Sequence, residues 1–259
     1  MQVIKNIAQS IPNTYGLVFG VWLLILLFRP SVDLTKEEFN FKIVEKDISG
    51  TTTYKHGIDV SHFQGKIDWS VVDEKTSYVY LKATEGITYT DPRFHENASK
   101  IAGSDIPAGA YHFYEPSDDA TQQAAHFVNT IMQYPLKLRP VLDIEITGGK
   151  SPKNISRGAK AFLAYVEKHT GCKPIIYTYA SYWDDNLGKT FNDYPFWLAD
   201  YSDKPEPPQK RKTYNLWQHS QTGFQKGIEG TVDRDLYQGT HEGFDLLMCS
   251  KTRSLAETL

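Results

Sequence analysis

The sequence predicts an α/β protein, a TIM-like barrel of five β/α units followed by three further strands, carried behind an N-terminal membrane-anchor helix. Eight short apolar or alternating segments follow one another between residues 54 and 248, and eight is the strand count of a closed barrel. Helical stripes with recognisable ends separate the early segments, whereas the last three are joined by short or proline-rich stretches. Ahead of them all stands an uninterrupted apolar run at residues 17–28, which no water-soluble barrel needs. At 259 residues, one barrel domain is the default organisation.

The apolar run is preceded by Lys5 and closed by Arg29 and Pro30. It lacks a small-residue cleavage site, so an uncleaved signal anchor is preferred and a cleaved signal, giving a secreted protein, is the alternative. Counted back to Ile11 it reaches about 18 residues, near the lower limit for spanning a bilayer. Residues 31–53 are polar and charged and read as a stalk. The predicted layout is therefore an anchor at 1–30, a stalk at 31–53, a barrel at 54–248 and a tail at 249–259.

Within the barrel the predicted strands are HGIDVS at 56–61, YVYLKA at 78–83, PAGAYHFY at 107–114, RPVLDIEIT at 139–147, KPIIYTY at 173–179, PFWLADY at 195–201, YNLWQH at 214–219 and GTVDRDLY at 230–237. A first helix is predicted from an Asp91 N-cap and an N1 Pro92, through Phe94, Ala98 and Ile101, to Gly103. Two more follow from Ala120, Ala124, Phe127, Val128 and Ile131, and from Ile155, Ala159, Phe162, Leu163 and Val166 before Gly171. Short helical pieces are expected at 68–75 and 181–187. The connection DKPEPP at 203–208 is too rich in proline for a helix.

The formal net charge is -3, and no basic run exceeds residues 210–212, which argues against a nucleic-acid partner. Cys172 and Cys249 are the two cysteines. They match neither a metal cluster nor a disulfide scaffold, and a single bridge between them is open if the domain lies outside the cytoplasm. No cofactor motif is present, and a metal site lacks the paired histidines it would need.

Chemistry concentrates in the fourth strand. Val141, Leu142, Ile144 and Ile146 read as buried, so Asp143 and Glu145 project from one face, about 6 to 7 Å apart. Two carboxyls that close do not ionise together readily, and one keeps its proton toward neutral pH. Asp59, Asp200, and Asp233 with Asp235 aim further acids at the same end of the barrel, where β/α barrels place function. Tyr111, Tyr177, Trp197, Trp217 and Gln218 accompany them. Flat aromatic faces beside hydrogen-bonding acids suit sugar rings.

Taken in order, HGIDVS, the KATE segment at 82–85, GAYHFY at 109–114, the Asp143/Glu145 pair, WLADY at 197–201, Trp217 with Gln218, and Val232 with Asp233 resemble glycoside hydrolase family 25, the lysozymes or N-acetylmuramidases of the Chalaropsis and phage-endolysin type. The resemblance covers roughly residues 54–248. It implies the same five-plus-three barrel and hydrolysis of the β-1,4 bond between N-acetylmuramic acid and N-acetylglucosamine. It implies Glu145 as general acid, Asp143 beside it, and Asp59 and Asp233 as the first- and last-strand carboxylates. Arg234 and Asp235, where many relatives carry an amide or apolar residues, leave Asp235 as the alternative to Asp233. Two mechanisms stay open: attack by the substrate's own 2-acetamido group with Asp143 orienting it, which is preferred, and water activated by Asp59 or Asp233 for inversion. The competing functions are another amino-sugar glycosidase of the N-acetylglucosaminidase or chitinase kind, a metal-dependent hydrolase, and a non-catalytic wall-binding module. The expected partners are peptidoglycan glycan strands and, through the anchor, a membrane, with the barrel on the extracytoplasmic side.

Overall fold

The structure is a computed structural model and describes residues 52–72 and 75–249. The predicted anchor, almost all of the predicted stalk and the tail beyond Cys249 lie outside these residues. Among the described residues no helix is long and apolar enough to cross a membrane.

Nine strands form one sheet: β1 (Thr53–Val60), β2 (Thr76–Glu85), β3 (Tyr89–Thr90), β4 (Ala108–Phe113), β5 (Val141–Asp143), β6 (Ile175–Tyr179), β7 (Phe196–Ala199), β8 (Leu216–Gly223) and β9 (Val232–Gly239). Their order is β1-β9-β8-β7-β6-β5-β4-β2-β3, and β1 also pairs with β2. That pairing closes eight strands into a barrel and leaves β3 as an antiparallel hairpin on the end of β2. Pairing around the ring is parallel except at β9, which is antiparallel to both β8 and β1.

Helices α1 (Phe94–Ile101), α2 (Ala120–Ile131) and α3 (Pro152–Thr170) pack outside the ring. Asp119 caps α2 by accepting from the backbone N–H groups of Thr121 and Gln122. Pro152 opens α3, and Gly171, at φ 71°, ends it, a left-handed conformation that costs glycine least. Two predicted details are corrected. Asp91 does not cap α1, because its carboxylate binds His62 and the Arg93 N–H, and the helix starts at Phe94. Residues 68–72 form a turn and bends rather than a helix, and among its described residues the first connection of the barrel carries a 3-10 turn, His62–Gln64, and no α-helix. Between β6 and β7 the predicted helical piece is a short helix, α4 (Ala180–Tyr182), that runs into a π-turn, Trp183–Leu187.

Strand alternation divides the apolar residues into two cores. Ile58, Val79, Leu81, Ala110, Leu142, Ile176 and Leu198 face outward onto Phe94, Phe127 and Phe162 of the helices. The opposite parity, Tyr78, Tyr80, Val141, Ile175, Tyr177, Trp197, Leu216 and Tyr237, fills the lumen. Tyr80 of β2 and Trp197 of β7 are not on neighbouring strands, yet their ring centroids lie 4.9 Å apart, so the contact crosses the barrel. These rings need space that other strands must yield. A Cβ on Gly57 would stand 2.3 Å from the Tyr78 ring, and one on Gly109 would stand 2.4 Å from the Tyr80 ring.

Away from the cleft, Cys172, just ahead of β6, is bonded to Cys249 with Cα atoms 5.7 Å apart, within the ordinary range for a bridge. The last described residues are also held by a Cys249 N–H donated to the Lys137 carbonyl (2.7 Å).

Asp235 is the most deeply buried of the described acids inside the barrel. It is fully buried; its Oδ1 accepts from Trp197 Nε1 at 3.1 Å, and its Oδ2 has no protein partner. Burial, then the charge of Asp233, push its carboxyl well above the usual range. A carboxyl raised in the folded state binds its proton more tightly there than in the unfolded chain. Its contribution to stability is therefore full below the ordinary carboxyl range and is lost as pH climbs toward the folded value. Asp235→Asn keeps the acceptor for Trp197 and removes the titration. Its melting temperature is expected to exceed that of the wild type at pH 7, with the difference shrinking toward pH 4. Thermal melts across that interval check this, and an unchanged or lower melting temperature at pH 7 would refute it.

Candidate active site

β5 ends at Asp143, so the acid pair does not lie on one continuous strand as the sequence implied. The Ile144 N–H donates to the Tyr177 carbonyl at 3.0 Å, after which the chain leaves the sheet. Tyr179 donates to the Glu145 carbonyl (3.2 Å) and Tyr182 to the Ile146 carbonyl (2.8 Å), fixing the departing segment. Both carboxyls still face one cleft of about 330 Å³ at the mouth of the barrel.

Asp59 and Asp233 complete the acidic wall. They are register partners on β1 and β9. Because β9 runs against its neighbours, Asp233 near its beginning is level with Asp59 near the end of β1. Of the predicted sugar contacts, Tyr111, Tyr177, Trp197 and Gln218 line the cleft. Gln218 is held at both ends of its amide: its Nε2 donates to Asp59 Oδ2 at 2.7 Å, and its Oε1 accepts from Tyr177 at 2.7 Å and Tyr201 at 2.6 Å. It therefore fixes the orientation of Asp59.

Asp200 and Trp217 lie elsewhere. Asp200 accepts from the Ser202 N–H and hydroxyl and from the Glu206 N–H (2.9, 2.6 and 2.9 Å); burial alone would raise its carboxyl, but these bonds together outweigh it and hold it below the usual carboxylate value. Trp217 Nε1 donates to the Asp200 carbonyl. The reason is parity: Trp197 and Ala199 face inward on β7, and Leu216 and Gln218 face inward on β8, so Asp200 and Trp217 carry the opposite phase. The same count gives Tyr201 the inward phase, and it does line the cleft. Gln221 lines it too, but it lies beyond the predicted end of its strand, past a register shift between Gln218 and Ser220, and no sequence signal marked it.

The cleft holds its acids in unusual states. Asp143 is pushed well up, first by burial and then by the charge of Glu145. Burial also raises Glu145, although its hydrogen bond with Asp143 and the charge of Lys82 oppose this. The two therefore titrate as a pair that shares a proton. Burial, followed by the charges of Asp233 and Asp235, raises Asp59 well above its ordinary value, against the lowering bond from Gln218. Asp233 is raised to about 6, by burial and then by Glu145. His112, in contrast, is a core histidine, fully buried between Thr84 and Gln123. Among the described residues no three His, Cys, Asp or Glu side chains are grouped to hold a metal ion.

Residues 58–228 match the sequence model of the glycosyl hydrolases family 25. The chain is 38% identical over 193 residues to the uncharacterized protein YegX of Escherichia coli K12, covering 72% of this chain and 71% of that one. It is 36% identical over 205 residues to Lysozyme M1 of Streptomyces globisporus, covering 73% of this chain and 69% of the other. Its structure is similar to that of the bacterial lysozyme from Streptomyces coelicolor, with a TM-score of 0.69, 34% identity, and coverage of 74% of this chain and 95% of that one. With the family match running from β1 past β8 and so spanning most of the strands that build the cleft, the chain belongs to glycosyl hydrolase family 25.

Proposed function

We infer that this protein is a lysozyme, an N-acetylmuramidase that hydrolyses the β-1,4 bond between N-acetylmuramic acid and N-acetylglucosamine in peptidoglycan. The observation that carries this reading is the Asp143/Glu145 pair at the end of β5, a buried and a half-buried acid facing one cleft walled by aromatic rings and hydrogen-bonding groups. Relatives described as lysozymes and muramidases support it.

For the mechanism we propose Glu145 as general acid and Asp143 as the group that orients the substrate. Before a sugar binds, the deeper burial of Asp143 favours the shared proton there. An acetamido N–H donated by the bound sugar stabilises the Asp143 carboxylate, and the proton passes to Glu145, where it is needed. Glu145 then protonates the leaving oxygen as the C1–O bond breaks, and the acetamido oxygen bonds to C1 to give an oxazolinium. Water opens that ring, returning a proton to Glu145, for a net consumption of one water. Asp59, pinned by Gln218, and ionised Asp233 face the developing positive charge.

The Cys172–Cys249 bridge supports an oxidising, extracytoplasmic setting for the barrel, the side on which peptidoglycan lies. From sequence alone, the apolar run at residues 17–28 is proposed as a membrane anchor with the amino terminus inside. The full chain is expected to stay with membranes through an alkaline carbonate wash; release into the supernatant would discard the anchor.

Purified peptidoglycan digested with the protein, reduced with borohydride and analysed by mass spectrometry is expected to give reduced muramic acid ends. Glu145→Gln is expected to lower the rate by roughly 10²- to 10⁴-fold. Reduced glucosamine ends would instead mark a glucosaminidase, and no fragments with binding retained would mark a wall-binding module. The pH profile tests Asp233 separately. Its ionised form dominates above its value of about 6, so kcat/KM is expected to rise through that pH and to fall at higher pH as the Asp143/Glu145 pair loses its proton. Asp233→Asn should abolish the rise near pH 6 while leaving the alkaline fall, and an unaltered acid limb would remove Asp233 from the reaction.

A further inference from the structure

Phe63 is the most exposed large hydrophobic residue among those described, with 80% of its surface open. Exposed apolar side chains are common on protein surfaces, but the turn that carries Phe63 is fixed from several sides. Ser61 and Gln64 form a reciprocal capping box, with the Ser61 N–H donated to Gln64 Oε1 at 2.9 Å and the Phe63 N–H to Ser61 Oγ at 3.3 Å. Gln64 Nε2 reaches the Thr231 carbonyl (3.2 Å), just ahead of β9. Asp91, nearly inaccessible to solvent, binds both the His62 N–H at 3.0 Å and the His62 ring at 2.7 Å. The fold thus holds an apolar ring outward.

That ring begins a track that leads to the acid pair. The His62 ring lies 4.1 Å from Phe63 and 6.3 Å from Tyr89, centroid to centroid. Lys82 Nζ sits 5.7 Å from the Tyr89 ring and 5.2 Å from the Phe113 ring, and Phe113 is the register partner of Asp143. Polar groups alternate with the rings along the way: the Tyr89 hydroxyl, the His62 imidazole and the Lys82–Glu85 ion pair, 2.6 Å long. Apolar faces edged by donors and acceptors match a pyranose, which has an apolar face and a rim of hydroxyls.

We propose that Phe63, with His62 and Tyr89, forms a remote sugar-binding platform that stacks against a saccharide of the same glycan strand, beyond the residues flanking the scissile bond. The proposal rests on the muramidase reading and concerns chain length: the platform engages long strands and is out of reach of short ones. It adds binding that is equal in the ground and transition states, so it lowers KM without altering kcat.

The test compares wild type, Phe63→Ala and Phe63→Trp on two peptide-free substrates, long glycan strands and the shortest oligosaccharide that the wild type cleaves, with thermal melts confirming that each variant is folded. Phe63→Ala is expected to raise KM on long strands roughly five- to tenfold at constant kcat, to leave the short substrate unchanged, and to be reversed by Phe63→Trp. An unchanged KM on long strands, or an equal loss on both substrates, overturns the platform. A wild type that cleaves no glycan strand of any length overturns the muramidase reading itself.

Discussion

The contact on which the cleft depends is made across the barrel, where the rings of Tyr80 and Trp197 meet between strands that do not pair. A ring of eight strands encloses a space that side chains must fill. Here large aromatic residues fill it, and the glycines at 57 and 109 make room for them. The filled lumen becomes a dry floor. From that floor Trp197 and Tyr177 reach the cleft, Tyr177 bonds Gln218, and Gln218 bonds Asp59. The aromatic packing therefore orients a carboxyl several side chains away, and by excluding water it also strengthens the electrostatics of the acids above it.

Those acids work against the stability of the fold. Asp59, Asp143, Glu145, Asp233 and Asp235 are all raised by burial, so near neutral pH each favours the unfolded chain, where its charge is solvated. Sites that need perturbed acids commonly sacrifice stability in this way. The helical layer stacked on the outer face of the sheet and the bridge at Cys172 offset the loss. The bridge is distant from the chemistry, so it can hold the far end of the barrel without restricting the mouth.

Much of this arrangement is legible in the sequence because it follows from periodicity. The alternation of strands and amphipathic stripes predicts the barrel, and the stripes at Ala124, Phe127 and Val128 and at Ile155, Phe162 and Val166 are buried in the helices where they were expected. The acid pair is legible because two carboxylates in an apolar run are conspicuous. Asp200 and Trp217 stand near strand ends, but the phase of their strands sends both away from the cleft, and nearness to a strand end alone does not reveal that phase. Asp91 resembled a helix cap because Asp before Pro is a common start, whereas its partner, His62, is distant in sequence. Gln221 follows a register shift, which no local pattern reveals, and pairing of the two cysteines depends on a distance that only the folded chain defines.

The direction of β9 has a consequence for when the enzyme comes into being. Asp59 on the first strand and Asp233 on the last are neighbours only once β9 has slotted between β1 and β8, and pairing between segments so far apart in the chain is slow to form. A polypeptide still emerging, with its final strand unseated, has the acid pair but neither a closed wall nor the fourth carboxyl. Closure of the acidic wall is thus tied to arrival of the end of the domain, and every incomplete copy lacks the finished cleft.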